Sequence, residues 1–406
     1  MVRRSFFQSF VILTSGTVLA QAIPLVMSPI LSRTYNPKDF GLYATFTTIV
    51  GILSTIYTLK YDLPILNAGN KDSVKRIVDF CIVSIFSLFL FSSILSFILY
   101  LFWDFSESYL LIPICSLFIA GILVFDRIFN KNESYRWMST QRLVKNAIEA
   151  ICNLAMFFKL TSFFSLIMSF VIGSSGAFLL SLLKNKSVFS GLFSRLKIQK
   201  LKEVYQEYSN FRLYTLPHTL LSQISENVFV FLIPLLYSHE LLGFLVFGLR
   251  LFQTPLGFIS ASLFSIFSQQ FTSESNDEFK VKLQKIFKLM CIGSLLILPF
   301  SYFLSDIFTS IFGISWQLSG KILTLLTPWI LLSTIVSTFA FVPLYSNMQK
   351  KAFYMEILNA LTKIIPFVLA YFFNMEFWTT LVIFAGLATS YMIIASIWIY
   401  SLIKIK

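Results

Sequence analysis

The stretch KNKSVFSGLFSRLKIQKLKEVYQEYSNFR, residues 184–212, is the longest interval in the chain without a run of apolar residues, and it carries Lys184, Lys186, Arg195, Lys197, Lys200, Lys202 and Arg212. Residues 1–183 before it and 213–406 after it are built from apolar segments long enough to cross a bilayer. The basic stretch therefore reads as a linker between two membrane-embedded halves. The expected domains are an N-terminal block 1–183, a basic linker 184–212 and a C-terminal block 213–406.

Composition agrees with that reading. The chain is 56% hydrophobic, 17% aromatic and 13% charged, with 47 Phe among its 406 residues and a mean hydropathy of +0.78. Such a chain needs lipid as its solvent. Cys81, Cys115, Cys152 and Cys291 each fall inside an apolar run with no CxxC and no nearby His, so they read as packing thiols rather than disulfides or metal ligands. Arg3 and Arg4 precede an apolar run that is too long for a signal-peptide core and is expected to be the first span.

A bilayer core of about 30 Å takes roughly 20 helical residues. On that scale apolar runs lie near 9–33, 40–66, 78–103, 109–130, 144–159 and 161–183 before the linker. Others lie near 213–236, 241–268, 284–304, 321–346, 352–373 and 377–402 after it. The expectation is an all-α integral membrane protein with twelve transmembrane helices, six in each half. The fifth run is short and interrupted by Glu149 and Asn153.

The charges test the count, because Lys and Arg stay on the cytoplasmic side. With the N-terminus inside, 25 of the 32 Lys and Arg fall on that side, among them Lys71, Lys75, Arg76, Arg127, Lys131, Arg136, Arg142, Lys145 and the linker cations. The other side receives only Arg33, Lys38, Lys159 and Lys321, and Lys60, Arg250 and Lys363 remain within spans. Both termini are thus expected in the cytoplasm. The net charge of +13 needs no nucleic-acid partner, and the basic inner loops face anionic lipid headgroups. The outer loops are short, and only Ser305 to Gly320 has room for an interfacial helix. Of the 12 prolines, only Pro37 falls in an expected loop, so bent or broken helices are expected.

Six spans, a linker and six spans suggest a duplication in one orientation. Tyr35 to Gly41 (YNPKDFG) follows the first span and Tyr237 to Gly243 (YSHELLG) follows the seventh, so Tyr and Gly recur with the same gap. Polar residues at helical spacing, which in lipid turn toward protein or water, mark four spans. The first has Thr14, Thr17, Gln21, Ser28 and Ser32, and the second Tyr43, Thr47, Gly51, Ser54, Thr58 and Asp62. The seventh has Thr215, His218, Ser222, Ser225 and Glu226, and the eighth Gly243, Arg250, Thr254, Gly257 and Ser265. Plain helix packing also uses small and hydroxyl residues, but here the stripes occupy equivalent positions in both halves. Lys60 near an inner end can snorkel to headgroups, and Glu149 can pair with Arg142 or Lys145. Arg250 and Lys363 lie too deep to snorkel, and each costs at least about 2.5 to 3.5 kcal/mol to insert, so something must compensate them.

Leu31-Ser32-Arg33-Thr34-Tyr35-Asn36-Pro37-Lys38-Asp39-Phe40-Gly41-Leu42-Tyr43 resembles the pattern after the first helix of polysaccharide-biosynthesis flippases. There an Arg, a Pro-acidic pair and Phe-Gly-Leu-Tyr recur. Phe312-Gly313 through Trp316, and Gly320-Lys321 to Thr327-Pro328-Trp329, look like the segment leading into the tenth helix of that family. The resemblance places the chain among Wzx-type O-antigen flippases, within the superfamily that also holds MATE drug exporters and the peptidoglycan-precursor flippase. It implies two six-helix lobes arranged as a V, with the first, second, seventh and eighth helices lining a cationic cavity. It further implies movement of an undecaprenyl-diphosphate-linked oligosaccharide, an O-antigen or capsule repeat unit, from the cytoplasmic to the periplasmic leaflet of a bacterial inner membrane. A polysaccharide polymerase and a chain-length regulator are the implied protein partners. Only Arg33, Asp39, Phe40 and Gly41 sit in a matched motif, which reads as structural. The remaining candidate substrate contacts are Arg250, Lys363, Glu226, His218, Gln21 and Asp62.

In an antiparallel hairpin at 1.5 Å per residue, Glu226 and Arg250 lie at similar depth and are expected to pair. A diphosphate, a bidentate match for a guanidinium, would then compete with Glu226, with Lys363 adding charge and His218 bonding a sugar. Three rivals remain. An ion-coupled exporter should show buried carboxylates in the first helices, where the first span has none. A membrane glycosyltransferase or polymerase should show a sizeable outer loop or a DxD site. A passive scaffold leaves Arg250 and Lys363 unexplained. Gly320-Lys321 is no phosphate-binding loop, since Ser315 stands where its first Gly belongs and Ile322 where Ser or Thr belongs. Any energy input comes from an H+ or Na+ gradient or from downhill use of the substrate, and no other cofactor is expected.

Overall fold

The computed structural model of the protein describes residues 6–102, 106–157, 163–186, 197–273, 277–346 and 348–404. Arg3, Arg4, Asp104, Lys159, Arg195 and Lys406 lie outside the described residues, as do the side chains of Thr14 and Ser265. Every regular element described is helical. In chain order these are α1 (Phe6–Thr34), α2 (Pro37–Thr58), α3 (Lys71–Phe102), α4 (Ile112–Lys131), α5 (Tyr135–Phe157), α6 (Phe163–Lys184) and the linker helix α7 (Ile198–Glu207). A π turn (Phe211–Thr215) leads into α8 (Leu216–Glu226) and α9 (Val228–Leu236). The last are α10 (His239–Ser273), α11 (Asp277–Ile297), α12 (Leu304–Phe312), α13 (Gln317–Thr338), α14 (Val342–Tyr345), α15 (Gln349–Phe373) and α16 (Phe377–Lys404).

Among the described residues nine helical stretches are long and apolar enough to cross a membrane. A tenth forms if Phe211–Glu226 and Val228–Leu236, bent by 50°, are taken as one. The first and fifth expected spans are helices of 29 and 23 residues outside that set. α1 is dotted with Ser, Thr and Gln. α5 begins at Tyr135 and takes Arg136 and Arg142, expected ahead of the fifth run, onto its own surface with Lys145. The second expected span is corrected as well. It stops at Thr58, where Leu59 and Lys60 take positive φ of 47° and 62°, a conformation unfavourable for residues other than Gly. Tyr61 and Asp62, 0% and 1% exposed, anchor the chain just beyond the break. Asp62 is therefore not on α2.

Prolines divide into two roles. Pro24, Pro29, Pro234, Pro255, Pro328 and Pro366 are inside helices. Pro37 opens α2 rather than sitting in a loop, because its missing N–H is one that the first turn leaves unbonded anyway. The expected space between Ser305 and Gly320 holds α12 and a 3-10 turn, Ile314–Trp316.

By internal contacts the chain divides into two compact units. Unit 1 comprises residues 1–35 and Leu42–Ile224, and unit 2 comprises Asn36–Gly41 and Ser225–Lys406. In unit 1, α5 packs on α1 and α6, α4 on α3 and α6, and α7 on α3. Tyr57, Cys81, Phe125, Phe129 and Val204 share its largest apolar cluster. In unit 2, α13 is the centre, flanked by α10, α12 and α16, and Leu283, Phe287, Phe339 and Phe341 fill a cluster nearer the end of α16. Large apolar side chains such as Phe91 on α3, Leu295 on α11 and Phe372 on α15 point outward, as surfaces dissolved in lipid require. Cys81 and Cys115 are buried, and all four thiols are free.

Both family-like stretches meet inside unit 2. Asn36 caps α2 by accepting from the Asp39 N–H at 2.9 Å, and Asp39 returns the bond to the Asn36 N–H at 3.2 Å. The arrangement is a reciprocal capping box. It aims Phe40 at Trp316, edge to face at 5.2 Å, and Trp316, fully buried, lies against Phe247 at 4.0 Å. The motif residues Asp39, Phe40 and Gly41 are thus packing and capping groups, while Arg33 is exposed.

Candidate functional site

The polar interior of unit 1 is a chain of charged pairs carried by α4 and α5. Arg142, Lys145 and Glu149 are spaced three and four apart and share one face of α5. Arg142 meets Asp126 of α4 at 3.6 Å and donates to Thr17 Oγ1 of α1 at 2.9 Å. Lys145 pairs with Glu149 at 3.8 Å and lies 4.5 Å from the centre of the Phe170 ring. Glu149 also accepts from the Tyr43 hydroxyl at 2.7 Å, and Asn146 donates to the Ala20 carbonyl at 2.6 Å. Next along α4, Arg127 donates to Asp62 at 3.0 Å.

Burial ranks these pairs. Asp62 is almost wholly enclosed while Arg127 is 29% exposed, so the pair is a clip that holds the break after α2. Removing one partner would strand a buried charge. Arg142 is the most open member, with 38% of its side chain exposed. A guanidinium carries five donors, and Arg142 spends few of them on Asp126 and Thr17. It can take an oxyanion without losing its support.

The other expected site residues separate. Gln21 and His218 are exposed and make no hydrogen bond among the described residues. Arg250 is exposed on α10. Its carbonyl accepts from Thr254 Oγ1 at 2.5 Å, and no ion pair joins it to Glu226 among the described residues. That corrects the expected Glu226–Arg250 pair. The 50° bend after Glu226 and the π turn at Phe211–Thr215 rotate the faces of the hairpin away from those of two straight helices. Lys363 and Glu356 lie two turns apart on α15. Lys363 is 9% exposed and forms no ion pair among the described residues. Asp62 is engaged by Arg127 rather than offered to a ligand.

Sequence reasoning counts Arg127, Arg142 and Lys145 among the cytoplasmic-side cations and not among the substrate contacts, although it expects Glu149 to pair with Arg142 or Lys145, and the Lys145 pair is present at 3.8 Å. The available signal was the three-four spacing of Arg142, Lys145 and Glu149 beside the short fifth run. Among the described residues no cluster of His, Cys, Asp and Glu is arranged to hold a metal ion.

Residues 6–269 match the family model described as polysaccharide biosynthesis protein. No curated protein matches the chain in sequence. Among solved structures the fold is similar to that of the lipid II flippase MurJ in an inward closed conformation. That likeness covers 97% of this chain and 88% of that one at 14% identity, with a TM-score of 0.73. It is also similar to the eukaryotic MATE transporter AtDTX14, over 98% of this chain and 96% of that one at 14% identity and a TM-score of 0.53. A multidrug resistance MATE transporter of the MOP superfamily, outward-facing, matches over 98% and 94% at 11% identity with a TM-score of 0.58. At such identities the likeness is one of fold.

Proposed function

We propose that this chain, which belongs to the polysaccharide biosynthesis protein family, is a flippase for an undecaprenyl-diphosphate-linked oligosaccharide. The cargo is an O-antigen or capsule repeat unit moved from the cytoplasmic to the periplasmic leaflet of the inner membrane. The observation that carries the reading is the family match over residues 6–269, held on a fold similar over 97% of the chain to a protein named as a lipid II flippase. Twelve crossings, with α1 and α5 added to the ten apolar stretches, belong to the same proposal. So do the cytoplasmic termini and any H+ or Na+ coupling.

The diphosphate supplies the charge that transport must manage. Each unit, taken by itself, carries cations suited to it. In unit 1 Arg142 exchanges part of its contact with Asp126 and Thr17 for phosphate oxygens, and Lys145 adds a point charge. In unit 2 Arg250 is exposed and forms no ion pair among the described residues. Gln21 and His218, both exposed, supply neutral hydrogen bonds to the sugar.

The test is a deletion strain with no second flippase, complemented with variants at matched protein level. Deletion should leave lipid-linked repeat units on the cytoplasmic leaflet and abolish surface polysaccharide; unchanged surface polysaccharide would refute the assignment. Arg142→Lys and Arg250→Lys, which keep charge and lose the fork, should each lower export about tenfold, the equivalent of one charged hydrogen bond. Lys202→Gln should match wild type.

A further inference from the structure

The linker helix α7 is docked on the base of α3. Val204 is 2% exposed, the Tyr61 hydroxyl donates to the Tyr205 carbonyl at 2.9 Å, and Phe80 lies 4.4 Å from Tyr61 and 6.2 Å from Tyr205 between ring centres. Arg212 covers the other face of Tyr205 at 3.8 Å. Lys200 stands one turn before Val204 and so shares the docked face of α7. This docking closes a cleft of about 340 Å³ lined by Asn70, Asp72, Lys75, Arg76, Asp79 and Lys200.

Three cations from two separate segments converge there. Neither Lys75 nor Lys200 makes an ion pair among the described residues, and Arg76 donates to the Ser73 hydroxyl at 3.3 Å. Asp79 is 4% exposed and is engaged within the protein, which leaves Asp72 as the exposed carboxylate. Asn70 caps α3 through the Ser73 N–H at 2.8 Å, and the positive end of the helix dipole faces the same cleft. α3 is a long apolar helix, so the cleft lies where the bilayer surface begins, on the side that the charge distribution assigns to the cytoplasm.

We infer that this cleft between α3 and α7 is a binding site for a phosphate or diphosphate anion at the cytoplasmic membrane surface, held by Lys75, Arg76 and Lys200. It goes beyond the flippase reading, since it needs only the anion and not a transported cargo. Two sources share the chemistry, the headgroup of an anionic lipid and a soluble phosphate.

The full chain in neutral maltoside micelles is titrated with inorganic pyrophosphate in one arm. In the other it receives phosphatidylglycerol, with retained lipid counted by native mass spectrometry against phosphatidylcholine. Lys75→Gln combined with Lys200→Gln should weaken binding at least about tenfold, because charge-assisted contacts are lost. Lys202→Gln, an exposed cation on the same helix but outside the cleft, should stay within about twofold. Asp72→Asn should tighten binding, an effect that misfolding cannot mimic. Binding in the lipid arm alone assigns the site to headgroups, and binding of pyrophosphate that displaces no lipid assigns it to a soluble anion. No binding in either arm, or equal loss in Lys202→Gln and the double variant, overturns the inference. Because binding is read on purified protein, its failure and a failure of export are separate results.

Discussion

The segments 35–41 and 237–243 are built alike although they share only Tyr and Gly. Tyr35 shares a hydrogen bond with Ser165 at 2.7 Å, near the start of α6 in unit 1. Tyr237 shares one with Thr380 at 2.6 Å, near the start of α16 in unit 2, and donates to the Met375 carbonyl at 3.0 Å. The next residue caps the following helix in both cases, Asn36 through the Asp39 N–H and Ser238 through the Leu241 N–H at 3.1 Å. The glycines then face each other within unit 2. A Cβ on Gly41 would lie 1.8 Å from the His239 carbonyl oxygen, and one on Gly243 would lie 1.7 Å from that of Pro37.

The difference between the copies lies in the cap. The first has Pro37 at the opening position and Asp39 returning the bond, whereas the second has Leu241 where Asp39 would be and a single serine cap. What recurs is therefore what geometry leaves no choice about. A backbone carbonyl at under 2 Å admits no side chain, and a tyrosine hydroxyl deep in a lipid-bathed fold needs a partner. A cap can be assembled in several ways, and the two copies have diverged there.

The glycines offer the largest effect. Gly41→Ala and Gly243→Ala should each destabilise by about 3 kcal/mol or more, since overpacking against backbone cannot relax through a rotamer. Thermal unfolding in detergent reads this, with Gly51→Ala as a control because nothing lies within 4 Å of its added Cβ. If only one glycine proves sensitive, the two segments are not equivalent. The caps come next: Asn36→Ala should cost about 1 to 2 kcal/mol, and Ser238→Ala about 1. Equal losses would mean that Asp39 adds nothing. The tyrosines give the smallest change, about 1 kcal/mol for Tyr35→Phe or Tyr237→Phe. The second should be the larger, because it removes two hydrogen bonds and leaves the Met375 carbonyl without its tyrosine donor, while Thr380 keeps its bond to the Glu376 carbonyl. A neutral Tyr237→Phe would break the parallel at that point.

Much of this protein can be read from the chain without coordinates. Helices are imposed by apolar runs that only hydrogen bonds within a segment can satisfy in lipid, so the expected runs appear as helices, with the second ending early at Thr58 and the seventh bent by 50°. The basic stretch 184–212 stands out because basic residues cannot enter a span cheaply, but its described part belongs to unit 1, which runs on to Ile224. The repeat of Tyr and Gly is visible as letters. What those letters do required the fold, because the glycine contact joins residues about two hundred positions apart, and no local pattern names the carbonyl that excludes a side chain. The charged partners likewise belong to tertiary structure. The Lys145–Glu149 pair is one turn of a single helix and is legible in the sequence, but the contacts of Arg142 to Asp126 on α4 and Thr17 on α1 depend on how α5 packs. Depth along a hairpin suggested that Glu226 meets Arg250, yet a π turn and a 50° bend decide which way a side chain faces. Sequence period counts residues along an axis; the rotation of that axis is settled by what packs against it.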